Sequence, residues 1–409
     1  MRRLTSLCLA LMLALPAIAH AQEPHWVGSW MAAPIPGDAG STPPALGFSD
    51  ATLRQVLRLT LGGRALRVRL SNAFGTAPLT IPAAHVALAA KGAAIQAGSD
   101  RALTFGGQAG VTIPAGGAVW SDPVDMAVPA FTDLALSLRL RDVPGTATTH
   151  PGSRATSYLQ AGDALAADMP GAAKVAHWYI ATGVDVATAP DAAALVVLGD
   201  SITDGRDSTT DGNGRWPDAL ARNLARRMSP APSAEDATSI SVLNAGIGGN
   251  RLLLDGIGPN ALSRVDRDVL DQSGVRWLVV LEGVNDLASA VRAADRKEVP
   301  ATVETLAAAY RRIVDQAHAA GLKVYGATIL PCAGSDWCLP AMEPMRQRLN
   351  AWIRASRTFD AVIDLDRTLD DPARPGHLLP EADGGDHLHP GDTGYRLMAE
   401  GVDLSLFAR

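Results

Sequence analysis

Apolar positions follow two rhythms along this chain, and one gives way to the other near residue 190. From Trp26 to about Val186, apolar residues alternate with polar ones over short runs punctuated by glycine and proline. Leu66, Val68 and Leu70 alternate with Arg67 and Arg69, the period-two pattern of a strand with one buried face. The runs Gln55–Leu61 and Ala65–Leu70 flank Gly62-Gly63, which predicts a hairpin. Further strands are expected at Ala83–Leu88, Gly110–Ile113, Ala118–Trp120, Leu134–Leu140 and His177–Val186. No segment here has the period of an amphipathic helix. The pattern predicts an antiparallel β-sandwich, jelly-roll-like in outline.

Past a polar, proline-containing joint at Thr188–Ala193, apolar runs alternate with helix-period segments. Ala194–Leu198 precedes a helix at about Trp216–Met228, with Pro217 in its first turn. The Pro/Ser-rich Ser229–Ser233 is a loop. Four more strands are expected at Ser239–Leu243, Trp277–Leu281, Lys323–Ile329 and Ala361–Leu365. The helices paired with them are expected near Asn260–Leu270, Ala301–Ala320, Met342–Ser356 and from about Pro390. Strands separated by helices imply a parallel, doubly wound sheet. The expected organisation is a leader at 1–21, a β-sandwich at 22–187, a joint at 188–193 and an α/β domain at 194–409.

The leader reading rests on Arg2 and Arg3 ahead of the apolar run Leu7–Ile18 and the small-x-small site Ala19-His20-Ala21. The run is too short to span a bilayer well, and Cys8 lies inside it, which argues against a lipid-anchored start. The expected product is exported, without a stable membrane anchor. The formal net charge of −6, more negative once Arg2 and Arg3 are removed, argues against nucleic acid or an anionic membrane as partner. Cys332 and Cys338, the remaining cysteines, flank a short loop, and in an exported protein they are expected to pair. Arg54, Arg58, Arg64, Arg67 and Arg69 read as the solvated face of a hairpin, with a stripe for acidic sugars as the other reading. Trp26 and Trp30 read as strand-edge or interdomain packing, or as a sugar-stacking platform.

Candidate chemistry gathers in four places. Gly199-Asp200-Ser201 follows the first apolar strand, where a tight polar loop presents Ser201 at the carboxyl edge of a sheet. Near the end of the chain, Asp386 and His389 stand three apart, so the carboxylate can orient the imidazole as a base for Ser201. His387 is a rival base adjacent to Asp386, and Asp386 also reads as a helix cap. Between them, the loop from Asn244 to Asn250 holds Gly246, Gly248 and Gly249, and the next holds Gly283, Asn285 and Asp286. A backbone N–H at Gly249 or Gly248, the Asn285 amide and the Ser201 N–H supply donors for an oxyanion. The glycine spacing does not match a dinucleotide fingerprint, and no cofactor is expected. Asp207, Thr209, Asp211, Gly212 and Asp218 partly imitate a calcium loop, but Thr209 and Asp218 stand where stronger ligands are needed. A polar loop beside the active site is the simpler reading.

Taken together, these four blocks resemble, in order and context, those of the SGNH (GDSL-type) hydrolases, over about residues 194–409. The resemblance implies a flavodoxin-like sheet and ester hydrolysis. By position, Ser201 is then nucleophile, His389 base and Asp386 its orienter, with the Ser201 N–H, the Gly249 N–H and Asn285 as oxyanion hole. Asn250 stands where many relatives have Asp, which leaves Gly248 open beside Gly249. The first domain, with Trp26 to Trp30 and Ser71 to Gly75, is similar to exported two-domain members like acetylxylan esterases. The expected activity is removal of small acyl groups, acetyl foremost, from a small-molecule or polysaccharide ester. The alternatives are a lipid- or aryl-ester hydrolase with the same triad, which no exposed apolar helix or lid advertises, and a non-catalytic carbohydrate-binding protein.

Overall fold

A computed structural model describes residues 23–38, 40–41, 43, 47–143, 147–228, 239–292 and 301–408. The predicted leader and the predicted loop Ser229–Ser233 lie outside these residues. In the C-terminal half, five parallel strands form one sheet in the order Ile240–Gly246, Ala193–Gly199, Val275–Leu281, Lys323–Ala327, Ala361–Ile363. The order reverses at Ala193–Gly199, and ligands of such sheets bind beyond the carboxyl ends at that point. Both faces of the strand are covered, as its unbroken apolar run requires. Ala193, Leu195 and Val197 pack toward the helix Trp216–Met228 and the closing helix Asp392–Glu400. Ala194, Val196 and Leu198 join a core that runs on into the first domain.

That domain is a sandwich of two antiparallel sheets. One has the order His25–Met31, Ala181–Thr188, Ala65–Ser71, Ala118–Trp120, and the other Ala173–Val175, Ser157–Ala161, Ala51–Arg58, Asp133–Leu140, Ala83–Leu88, Arg101–Ala102. The predicted hairpin at Gly62-Gly63 is therefore absent: Ala51–Arg58 and Ala65–Ser71 lie in different sheets, and the glycines carry the crossing. A Cβ on Gly62 would stand 2.7 Å from the Ala130 nitrogen and the Val128 oxygen, and one on Gly63 2.7 Å from the Ala187 oxygen. The glycines are there for close backbone approach, which sequence does not distinguish from a turn.

The solvated-face reading fails for Arg54, whereas Arg64 is exposed and Arg67 and Arg69 keep to the partly exposed face of Ala65–Ser71. Arg54 is fully buried, and its five N–H groups go to Ser137 Oγ and the carbonyls of Ala93, Ala164, Leu165 and Ala167. A guanidinium leaves water only when every donor finds an acceptor, and here they do. Arg58 pairs with Asp133 in two bonds of 2.6 and 2.8 Å. Arg67 pairs with Asp185 and lies between the rings of Trp26 and Trp120, 4.8 and 4.6 Å from their centroids. Trp30 packs edge-on against Trp178 with centroids 5.0 Å apart.

The domains are docked, not tethered. Thr188 ends one strand and Ala193 begins the next. The Gly28 N–H donates to the Ser273 carbonyl at 2.9 Å, and a Cβ there would stand 2.8 Å from Leu243 Cδ1. Thr60 Oγ1 meets Ser241 Oγ at 3.1 Å, and Ile35 and Ala33 pack on Ile247. Two expected helices differ from the sequence reading. Asn260–Leu270 is a 3₁₀ turn, Ala261–Arg264, followed by a wide π turn, Asp266–Leu270, that lets Arg264 and Asp268 meet inside at 3.0 Å. A helix at Val284–Arg292 begins inside the segment expected to be a loop.

A chain beginning at Pro190 should aggregate, because it uncovers Leu243 and Ile247. Gel filtration of the expressed fragment checks this; a soluble monomer would show that the α/β domain does not need its partner.

Candidate active site

Ser201 owes its position to the residues on either side. Gly199 ends the strand where a Cβ would stand 2.2 Å from Thr203 Oγ1. Asp200 then caps the short helix Ser201–Asp204 by accepting the Ile202 N–H at 2.9 Å, and Gly205 closes it at φ 93°. The hydroxyl is thus held at the first helical position, beyond the sheet edge.

His389 reaches it from the opposite end of the chain: Ser201 Oγ lies 2.8 Å from His389 Nε2, and His389 Nδ1 lies 2.7 Å from Asp386 Oδ2. Asp386 is pinned by its own loop, accepting the Leu388 and His389 N–H groups at 3.0 and 2.8 Å. It caps this turn and not the closing helix, which begins at Asp392 behind Gly391. His387, the rival base, sits at φ 61° and turns to Asp383. Asp207 brings a second carboxylate 3.9 Å from His389 Nδ1. Partial burial opposes ionisation of Asp386, but hydrogen bonds from the His389 N–H, the imidazole and the Leu388 N–H outweigh it and hold the carboxyl below its ordinary range. Burial disfavours the imidazolium of His389 more than Asp386 favours it, so its pKa lies below 6.5.

Across the pocket, Gly249 has φ +69°, and a Cβ there would stand 3.0 Å from Ile257 Cδ1; Gly248 is under no such constraint. Asn285 donates one Nδ2 hydrogen to the Asn250 carbonyl at 2.9 Å and accepts the Trp337 indole N–H on Oδ1 at 3.0 Å. The indole thereby decides which end of the carboxamide is oxygen and leaves the second N–H for the pocket that Asn285 lines. Trp337 sits on the loop closed by the Cys332–Cys338 disulfide, whose Cα atoms are 5.9 Å apart. Asp286 holds the facing loop by accepting the Leu252 and Leu253 N–H groups at 2.8 and 3.3 Å; its own burial lifts it to about 6.

The cavity in front of Ser201 measures about 340 Å³, and both domains line it. Ile35, His150, Gly152 and Arg154 come from the sandwich. His150 bridges the Ala33 carbonyl and Asp204 Oδ1, each at 2.9 Å, and a Cβ on Gly152 would fall 1.8 Å from Asp204 Oδ2. The residues of the calcium-like pattern disperse: Asp211 binds Thr156, Asp218 binds Arg215, and Thr209 binds Asp392. Among the described residues, one cluster has metal-ligand spacing, Asp207, Asp386 and His389, and two of its three members belong to the Ser201 relay.

Residues 197–397 match the GDSL-like Lipase/Acylhydrolase family. This domain belongs to that family, and the protein is a carboxylic ester hydrolase. Among solved structures, the acylhydrolase is similar to an acetyl xylan esterase from Geobacillus stearothermophilus, at 20% identity over 52% of this chain and 94% of that one, TM-score 0.40. It is also similar to the aryl esterase of M. smegmatis, at 16% identity over 51% and 95%, TM-score 0.39. No curated protein matches it. Sequence reasoning about this acylhydrolase missed Trp337, whose one signal was its place between two cysteines, and His150, which gave none.

Two outcomes follow for the acylhydrolase. A plot of kcat/KM against pH should rise as His389 loses its proton, with a midpoint below 6.5 and full activity kept at neutral pH; a midpoint above that value would mean another group limits the rate. Trp337→Phe should lower kcat on the order of tenfold, the worth of one hydrogen bond to the Asn285 amide, with little change in KM; an unchanged kcat would mean the indole only fills space.

Proposed function

We propose that this chain is an exported serine esterase that removes small acyl groups, acetyl foremost, from carbohydrate. The observation that carries the reading is the relay from Ser201 through His389 to Asp386, at 2.8 and 2.7 Å, on the wall of a cavity of about 340 Å³. His389 Nε2 takes the hydroxyl proton as Ser201 Oγ attacks the ester carbonyl. The oxyanion that forms is met by the Ser201 and Gly249 N–H groups and Asn285 Nδ2. Collapse returns the proton to the departing alcohol oxygen and leaves the acyl group on Ser201. Water, deprotonated by the same imidazole, then releases the acid. The sandwich wall supports a polymeric substrate, since chemistry on a tiny ester needs none of its residues. Export rests on the leader pattern.

A lipid- or aryl-ester reading also has an observation in its favour. No exposed apolar helix or lid advertises it in the sequence, yet Leu254, Ile257, Trp337 and Leu339, exposed by 37, 61, 38 and 38%, are the exposed large hydrophobics among the described residues. They fall on two loops, and Ile257 and Trp337 line the pocket.

Ser201→Ala should lower turnover by several orders of magnitude, on the order of 10⁴–10⁶, with the fold intact by circular dichroism; near-normal turnover would sink the mechanism. A panel of p-nitrophenyl esters with acetylated xylan should rank acetyl first and include the polymer. Preference for octanoyl esters with no release of acetate from xylan would put the lipid reading in its place.

A further inference from the structure

Two arginines face the cavity from opposite domains: Arg154 on the sandwich loop after His150, and Arg206 just beyond the nucleophile helix. Among the described residues neither side chain has an ion-pair or hydrogen-bond partner, and Arg154 Nε is buried and unsatisfied. Arg154 is half-buried and Arg206 exposed, whereas the chain's enclosed guanidiniums are fully partnered. Arg54 has all five donors used, and Arg346 is held by Glu343, Asp366 and the Ile329 carbonyl.

Most local carboxylates are engaged: Asp204 by His150, Asp211 by Thr156, Asp392 by Thr209 and Asp386 by His389. Asp207 is exposed, stands 3.9 Å from His389 Nδ1, and forms an ion pair with neither arginine among the described residues. Arg154 is also held in a left-handed backbone, φ 45°, where its carbonyl accepts the Asp211 N–H at 2.9 Å. A non-glycine residue kept there by contacts with the other domain is a strained position of the kind found at binding sites. In a chain of net charge −6, two guanidiniums without an ion pair at the cavity attract anions.

We propose that the substrate carries a fixed carboxylate beside its acyl ester, and that Arg154 and Arg206 hold it while Ser201 attacks. Resting on the carbohydrate reading above, this makes the substrate an acylated acidic polysaccharide, one built on uronic acid residues. A guanidinium presents paired N–H donors that match a carboxylate, and two of them from separate domains select the sugar's charge as well as its position.

The test compares kcat/KM on O-acetylated polygalacturonate and on O-acetylated, uronate-free xylan, for the wild type, Arg154→Gln with Arg206→Gln, and the charge-keeping Arg154→Lys. The wild type should favour the acidic polymer by about tenfold or more at low salt, and salt should erode the preference. The double variant should lose it, and Arg154→Lys should keep part of it. Equal losses on both polymers, or a salt-independent ratio, would overturn the proposal. A second pair of probes, 4-acetoxybenzoate and phenyl acetate, separates this from failure of the carbohydrate reading. Arginine-dependent preference for 4-acetoxybenzoate with neither polymer deacetylated would remove the polysaccharide and keep the carboxylate. Arginine-dependent preference for an acyl glycerophosphate over either carboxylate probe would overturn the carboxylate in favour of an anionic lipid.

Discussion

The catalytic end of the sheet is held together by one buried cation. Arg264 is inaccessible to water, and its side chain donates to the Gly199 carbonyl at 3.1 Å, the Ala245 carbonyl at 2.7 Å, Asn250 Oδ1 at 3.1 and 2.7 Å, and Asp268 at 3.0 Å. Apart from Asp268, the acceptors belong to segments that line the cavity: Gly199 leads to Ser201, and Ala245 and Asn250 bracket Gly249. Glu282, one residue before the Gly283 turn that leads to Asn285, lies 3.7 Å away. Burial raises Asp200 and Glu282 and the two repel each other, so Arg264 is the counter-charge that makes their proximity tolerable. The ends of two strands share one set of hydrogen bonds, and the third is tied to the same guanidinium by the charge of Glu282. The geometry between Ser201 and the loop of Gly249 is therefore set from beneath, by a residue that does not line the cavity.

A second constraint acts from the side. The nucleophile helix is short, and its last residue, Asp204, is bound by a histidine of the sandwich and crowded by Gly152 of the same loop. Arg215, at the foot of the next helix, reaches the Ser153 carbonyl. The sandwich thus grips the segment from Ser201 to Trp216 along its length. Ser201, His389 and Asp386 lie within one domain, but the wall that faces them is furnished by the other.

This division explains what could be read from sequence. The parallel sheet was legible because its strands are unbroken apolar runs, and the helix Trp216–Met228 because proline and period mark it. Ser201, Asp386 and His389 were legible because short local spacing, one strand-to-loop break and one three-residue step, fixes their surroundings. The helix opening at Val284 was hidden by the glycine ahead of it. Gly62-Gly63 misled because a diglycine that makes room for another strand has the composition of a turn. Arg54 misled for the same reason at one remove: alternation gave it a face, and tertiary packing covered that face. His150 could not have been found at all, since its partner lies in a different domain and no local pattern ties them.

The arginines carry this argument furthest. By composition Arg54, Arg264, Arg154 and Arg206 are one residue type, and nothing in their neighbours separates them. What separates them is how far their donors are used. In Arg54 and Arg264 the guanidinium is surrounded by carbonyls, amide and carboxylate, and the cation is spent inside the fold. In Arg154 and Arg206 it faces the cavity, with Asp204 and Asp386 engaged elsewhere and no ion pair to either arginine among the described residues. Burying Arg154 Nε without an acceptor is costly, and a fold held only by stability would place another side chain there. Placing both at the mouth of a hydrolase, one from each domain, makes sense when the missing acceptor arrives with the substrate.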